Sequence, residues 1–190
     1  MKKKGLLIIM SGPSGVGKGV LREKFINDPR LNLVFSISMT TRAPRGHEKN
    51  GVDYFFVDEA TFLNHIESGN LLEHAKFVDN YYGTPLSYVE KLRNEGKNVF
   101  IEIEVNGAKQ VMDKMRGKDA FSIFILPPSI EELEHRIRGR KTESEDKIQL
   151  RLARAKMEIE RSVEYDYRII NDDLDKAAEE ITKIILGRMA

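Results

Sequence analysis

The chain has no cysteine and no tryptophan. Without cysteine there can be no disulfide, no thiol nucleophile and no thiolate metal site. An excess of one charge is also missing: 31 Lys and Arg face 30 Asp and Glu, leaving a net charge of +1. Broad attraction to nucleic acid or to an anionic membrane is therefore not the organising feature, which leaves room for a local basic cleft. Long apolar runs are lacking too. After Met1-Lys2-Lys3-Lys4-Gly5, only Leu6–Met10 precede Ser11-Gly12-Pro13. That is short of the roughly 7–15 apolar residues of a secretory leader and far short of the roughly 20 of a membrane span. The expected setting is the cytoplasm, with neither nucleic acid, membrane nor an obligate protein partner. What is present is ordinary for a globular chain. The 190 residues are 41% hydrophobic and 32% charged, enough for one domain carrying inserted lobes.

Short apolar runs alternate with amphipathic stretches. Leu6–Met10, Phe35–Ser38, Val99–Ile103, Phe121–Leu126 and Arg168–Ile170 read as strands, and the near-continuous apolarity of the first and fourth suits strands covered on both faces. Helical patterns fall at Lys18–Asn27, Glu59–Ser68, Leu86–Asn94, Gly107–Met115, Ile130–Gly139, Glu145–Glu164 and Leu174–Met189. Strand then helix, repeated, predicts an α/β fold with a parallel sheet flanked by helices. Two regions break the rhythm. Residues 40–84 gather Thr, Arg, Gly, Asn and Tyr around a short strand at Asp53–Val57, as an inserted lobe would, and residues 136–155 are dense in arginine, as a helical flap would be.

The strongest local signal is Gly12-Pro13-Ser14-Gly15-Val16-Gly17-Lys18, directly after a strand and before a helix. Glycines let successive backbone N–H groups converge on phosphate oxygens, and the helix dipole adds positive potential. Lys18 would place a full charge on the β/γ-phosphates. The usual pattern ends in Ser or Thr, whose hydroxyl ligates Mg²⁺; here Gly19 and Val20 follow the lysine. A metal would then be held by water, ATP phosphates and carboxylates elsewhere, which Mg²⁺ tolerates.

A phosphate loop alone does not separate GTPases, ATPases and small-molecule kinases. Arg42 and Arg45 stand beside hydroxyl residues, with Tyr54 and Tyr81-Tyr82 downstream; guanidinium forks and phenols suit a second phosphate group. Glu73 follows two leucines, with Thr84 downstream. A carboxylate there could accept both N1–H and the amino group of guanine, while Ser38 or Thr84 donates to O6; adenine would set a lone pair against the acid. Taken alone, Glu73 reads more readily as a solvated acid at a helix end. Glu102 and Glu104 alternate near the end of a buried strand and are expected on one face, where they need a charged partner: hydrated Mg²⁺, Lys18, or the acceptor base and sugar. His47, His65, His74 and His135 are scattered and read as structural or solvated.

Together these residues resemble the guanylate kinase family, nucleoside-monophosphate kinases that convert GMP and ATP to GDP and ADP. The resemblance runs through Ser11–Lys18, Ser36–Arg45, Asn50–Phe55, Asn80–Thr84, Glu102–Lys109, Pro127–Leu133, Gly139–Glu145 and Asn171–Leu174. It implies a five-stranded parallel core (about residues 1–37, 85–135 and 156–190), a GMP-binding lobe (about 38–84) and a helical lid (about 136–155). It implies that Ser38, Glu73, Thr84 and Glu104 read guanine, and that Arg42, Arg45, Tyr54 and Tyr82 hold the GMP phosphate. Gly12, Pro13, Ser14, Gly15, Val16, Gly17, Lys18 and Gly19 would cradle ATP, with Asn171 and Asp172 near adenine. Glu102 would lie near Mg²⁺, bound with ATP, through water. Lys18, Arg42, Arg136, Arg140 and Arg151 would serve the transfer itself, to GMP and dGMP. Lys141 stands where the lid often has glycine.

Two other classes remain open at this level. One is a catalytically dead relative that binds a phosphorylated peptide with Arg42, Arg45 and Tyr54; it would bind GMP without forming ADP. The other is a P-loop kinase with a different acceptor, or a GTPase, although the Asn-Lys-x-Asp guanine motif of GTPases is not found in the sequence.

Overall fold

The computed structural model describes residues 3–139 and 144–190. In chain order its elements are β1 (Leu7–Ser11), α1 (Lys18–Glu23), β2 (Leu33–Phe35), β3 (Met39–Thr40), β4 (Phe55–Phe56), α2 (Glu59–Glu67), β5 (Leu71–Phe77), β6 (Asn80–Pro85), α3 (Leu86–Asn94), β7 (Asn98–Glu102), α4 (Val105–Met115), β8 (Ala120–Leu126), α5 (Ile130–Gly139), α6 (Glu145–Glu160), a 3₁₀ turn at Arg161–Glu164, β9 (Tyr167–Ile170) and α7 (Leu174–Met189).

The core sheet has five strands in the order β2-β7-β1-β8-β9, all parallel. The central strand, β1, is buried along its whole length, which accounts for its unbroken apolar run. Its alternate side chains feed two cores. Ile8 and Met10 pack with Leu21, Phe25, Phe100, Ile123 and Ile181 on one face. Leu7 and Ile9 pack with Val89, Val99, Val111 and Phe124 on the other. This is the five-stranded α/β core expected from the sequence, except that its edge strand runs at Leu33–Phe35 and not at Phe35–Ser38. The fully buried Arg93 ties the far end together, its Nε donating to the Gly5 carbonyl (2.8 Å) and its Nη2 to the Lys118 carbonyl (2.6 Å).

A second sheet, β4-β3-β6-β5, forms the inserted lobe and closes its own small core of Met39, Phe62 and Leu71. The β5–β6 hairpin is not evident from residue pattern, because its strands mix polar and aromatic residues. The lobe is fixed to the core through α4. Gln110 Nε2 donates to the His74 carbonyl, and its Oε1 accepts from the His74 N–H, both at 3.1 Å. Lys114 Nζ donates to the Leu71 carbonyl at 2.7 Å.

Helix α1 is shorter than the pattern predicts. After Glu23 the N–H groups of Lys24 and Phe25 turn to carbonyls three residues back, Leu21 and Arg22, a tightening that ends the helix. The long helical pattern at 145–164 likewise finishes as the 3₁₀ turn at Arg161–Glu164.

Candidate active site

The phosphate loop runs from the C-terminal edge of β1 into α1, at the end of a parallel sheet where ligands collect. Gly17 is the N-cap of α1 at φ 96, a left-handed conformation that favours glycine, and a Cβ there would stand 2.9 Å from Asn171 Nδ2. That close approach is used: Asn171 Nδ2 donates to the Val16 carbonyl at 2.9 Å. Arg136 in turn donates to the Asn171 carbonyl from Nη1 and Nη2, each at 3.2 Å, and its Nε pairs with Glu132 at 2.8 Å. Arg136 thus braces the back of the loop. Arg136, expected to serve the transfer itself, has its donors on the carbonyls of Asn171 and Val16 and on Glu132; Arg140 and Lys141 lie outside the described residues.

Lys18 Nζ donates to the carbonyls of Gly12 (2.6 Å) and Pro13 (3.2 Å). Burial pulls its ammonium below the ordinary value, while Glu102 and Glu158 act the other way. Beside it opens a cleft of about 440 Å³ lined by Gly12, Ser14, Lys18, Glu102, Glu104 and Arg151, with Ile103, Arg154 and Glu158 completing the wall. Arg151 Nη2 donates to Ser14 Oγ at 2.7 Å, linking α6 to the loop. Gly19 and Val20 bring no hydroxyl, and the Val20 side chain is 57% exposed.

Glu102 and Glu104 do not share a strand face. The strand ends at Glu102, and Glu104 is the N-cap of α4, its Oε1 accepting from the Gly107 N–H at 2.9 Å. A carboxylate N-cap satisfies an orphan donor and faces the helix dipole favourably. The partner of Glu102 is Arg22 (2.6 Å), whose guanidinium also lies over the Phe35 ring. Arg22 comes one helical turn after Lys18, the spacing that could have revealed it.

In the lobe, Glu73 lies on β5 opposite Thr84 on β6. It is a buried strand residue, 8% exposed, and not a solvated acid at a helix end. Thr84 Oγ1 donates to Glu73 Oε1 at 2.7 Å. Burial drives the Glu73 carboxyl above its ordinary 4.5, with Thr84 working against that and Glu104 adding to it. Gly107 completes the approach, since a Cβ there would sit 3.0 Å from Glu73 Oε2; nothing in the sequence pattern marks that contact.

The phosphate-type donors cluster nearby. Arg42 is held bidentately by Glu48 (Nη1–Oε2 3.0 Å, Nη2–Oε1 2.9 Å) and lies 5.4 Å from the Tyr54 ring centre. Tyr54 meets Tyr82 edge-on at 6.4 Å. Glu48 also accepts from the Arg45 N–H at 2.7 Å. The Arg42 guanidinium, and after it the Arg45 N–H, hold the Glu48 carboxyl below its usual range. Nothing in the sequence pattern singles out Glu48. Ser38 sits between β2 and β3, its carbonyl accepting from the Phe55 N–H (2.8 Å). Asp172 lies exposed ahead of α7, and the neighbouring Asp173 caps that helix.

The comparisons agree with this geometry. A family model described as guanylate kinase matches residues 4–187. The chain is 54% identical over 187 residues to a guanylate kinase of Malacoplasma penetrans, covering 98% of this chain and 95% of that protein. It is 50% identical over 185 residues to a guanylate kinase of Lactiplantibacillus plantarum, with 97% and 89% covered. The crystal structure of a guanylate kinase from Anaplasma phagocytophilum aligns with a TM-score of 0.70 at 36% identity, covering 98% of this chain and 87% of that one. A phosphate loop, a separate lobe carrying a buried acid and arginines, and likeness along nearly the whole length converge: the chain belongs to the guanylate kinase family.

Proposed function

We propose that this chain transfers the γ-phosphoryl group of ATP to GMP, and to dGMP, yielding ADP and GDP or dGDP. The observation that carries the acceptor choice is the buried Glu73–Thr84 pair in a lobe set beside a phosphate-loop cleft. An acid in that position accepts from guanine N1–H and the 2-amino group together, whereas adenine would face it with a lone pair. Ser38 and Glu104 complete the guanine contacts.

The acceptor needs no general base. Its phosphate has a second pKa of about 6 and is mostly a dianion at neutral pH. One of its oxygens bonds to the γ-phosphorus as the bond to the β,γ-bridging oxygen breaks, and that oxygen leaves on ADP with the electron pair. Charge repulsion is the obstacle, so positioning and neutralisation carry the catalysis. Arg42, Arg45, Tyr54 and Tyr82 hold the acceptor phosphate, while the Gly12–Gly19 backbone and Lys18 hold the donor. Arg140 and Arg151 approach from the lid. Arg136 acts through the loop it braces, with Asn171 and Asp172 on the adenine side. Lobe (38–84) and lid (136–155) closing on the core exclude water and limit hydrolysis of ATP.

Among the described residues there is no group of three or more His, Asp and Glu that could hold a metal, and Glu102 is engaged by Arg22. Glu102 nonetheless lines the cleft beside Lys18, where a carboxylate oxygen suits a hydrated Mg²⁺ brought in by the nucleotide and reached through water. When bound, the ion neutralises β,γ-phosphate charge. The reading extends to purine nucleotide metabolism in the cytoplasm; among the described residues no helix is long and apolar enough to cross a membrane. A coupled assay for ADP with ATP, Mg²⁺ and GMP tests it. Turnover with GMP is expected, and GMP binding without ADP would overturn it.

A further inference from the structure

Helix α6 presents more to the cleft than Arg151. Arg154 and Glu158 line the same wall, at spacings of three and seven residues from Arg151, which put all three on one helix face. Arg154 is suspended between two acids. Its Nε donates to Glu158 Oε1 at 2.8 Å, and its Nη2 reaches Glu104 Oε2 at 3.4 Å. The two contacts differ in kind. The first is an ordinary charge-assisted hydrogen bond within one helix, made to a side chain that is 14% exposed. The second is at the long, weak limit for N–H···O, spans two helices and is solvent-facing. The guanidinium is thus pinned at its base and loosely held at its tip.

Its surroundings give that tip a use. The cleft wall combines Lys18, Arg151 and Arg154 with Glu102, Glu104 and Glu158, three cations against three carboxylates. Such a wall gives at most slight net attraction to a chain of phosphates, and a cation that exchanges its carboxylate for phosphate strengthens the hold. Glu102 is already neutralised by Arg22, and Lys18 sits on the loop carbonyls. Arg154 has the weakest cross-element hold among the cleft contacts described. Guanidinium is also well suited to fork onto tetrahedral oxyanions.

Resting on the functional reading above, we propose that Arg154 is a further catalytic residue: its Nη groups leave Glu104 and bind the transferring phosphoryl group once both nucleotides are seated, with Nε still anchored on Glu158. Because Glu104 belongs to the guanine end of the cleft, its release of Arg154 couples acceptor binding to the supply of positive charge. The contact forms chiefly as the transfer proceeds, so its loss falls on turnover and spares binding of each nucleotide.

The test compares the parent with Arg154→Met and Arg154→Lys. It measures kcat, both KM values, dissociation constants for GMP and ATP separately, and that for a two-headed inhibitor in which guanosine and adenosine share one polyphosphate bridge. For Arg154→Met, kcat is expected to fall about 10- to 100-fold, with single-nucleotide affinities within about twofold and two-headed inhibitor affinity falling alongside kcat. Arg154→Lys keeps the charge but loses the fork, and should fall between Met and parent. A kcat within about twofold of the parent in both variants overturns the proposal. So does weakening of GMP or ATP alone as large as the loss of kcat, which would make Arg154 a brace between α6 and α4. If Arg154→Met does not fold, the Lys variant and the inhibitor carry the test. If the parent itself fails to phosphorylate GMP, the functional reading falls, and unaltered affinity for the two-headed inhibitor in the variants would separately overturn the role of Arg154.

Discussion

Glu73 and Thr84 face one another across the β5–β6 ladder, and the threonine hydroxyl donates to the carboxylate at 2.7 Å in a buried setting. The second carboxylate oxygen looks toward Gly107 at the start of α4. A buried acid held by one neutral donor is costly to keep ionised, and guanine offers two donors on one edge. Thr84 and Gly107 set where that edge can sit.

Replacing Glu73 by Gln therefore separates affinity from stability. The loss of double acceptance is expected to raise KM for GMP about 10- to 100-fold and that for ATP by less than about twofold. The protein without nucleotide should become no less stable, because a buried charge is removed. Steady-state kinetics and thermal unfolding check both parts. Equal loss for the two nucleotides would count against the role.

The raised Glu73 carboxyl also fixes a pH trend. Above the unfolded value the folded chain binds more protons than the unfolded one, so this residue's contribution to stability declines as pH rises through the interval between unfolded and folded values. GMP favours the ionised acid, so its affinity should weaken on acidification through the folded value, with proton release on binding. Calorimetry in buffers of different ionisation enthalpy measures that proton; zero release across the interval contradicts it.

Gly107→Ala places a methyl carbon 3.0 Å from Glu73 Oε2, a contact tight enough to press on the carboxylate. The carboxylate must shift, because the helix backbone behind Gly107 is fixed by the Glu104 cap. KM for GMP is expected to rise several-fold with KM for ATP unchanged, read by the same kinetics.

Glu48→Ala removes the fork that orients Arg42 and the acceptor for the Arg45 N–H. Loss of a bidentate ion pair at a phosphate subsite should raise KM for GMP by about tenfold. Binding of guanosine, which lacks the phosphate, should stay the same. An equal loss for guanosine would place the effect elsewhere.

Asn171→Ala removes the Nδ2 donor to the Val16 carbonyl, which keeps only the 3.4 Å contact from Arg136 Nη1, while the backbone carbonyl that accepts from Arg136 stays. The expected cost is about 1–3 kcal/mol of stability together with weaker ATP, measured by denaturant unfolding and nucleotide titration.

The core was legible because each of its signals is local. Leu7–Ser11 is apolar and buried throughout, and the glycine-rich turn follows it directly. Helices α3, α5 and α7 carry clean periodicity and run as their patterns imply. The lobe was legible as a region, but its strands were not, since Leu71–Phe77 and Asn80–Pro85 are fixed by pairing with each other and mix polar with aromatic residues, which leaves no regular alternation. For the same reason Glu73 could be taken for a helix-end acid, and Glu104 for a strand neighbour of Glu102 when it is a helix cap. The pairing of Arg22 with Glu102, the approach of Gly107 to Glu73 and that of Arg154 to Glu104 arise only when distant segments meet.

The most direct test of guanine choice by a buried acid beside a phosphate loop is the rate of ADP formation from ATP with GMP, measured side by side with AMP at equal concentration. The account predicts rapid turnover with GMP and, for AMP, a rate lower by orders of magnitude, about 10⁴-fold for sites of this kind. Comparable rates for the two acceptors, or faster phosphorylation of AMP, would contradict it.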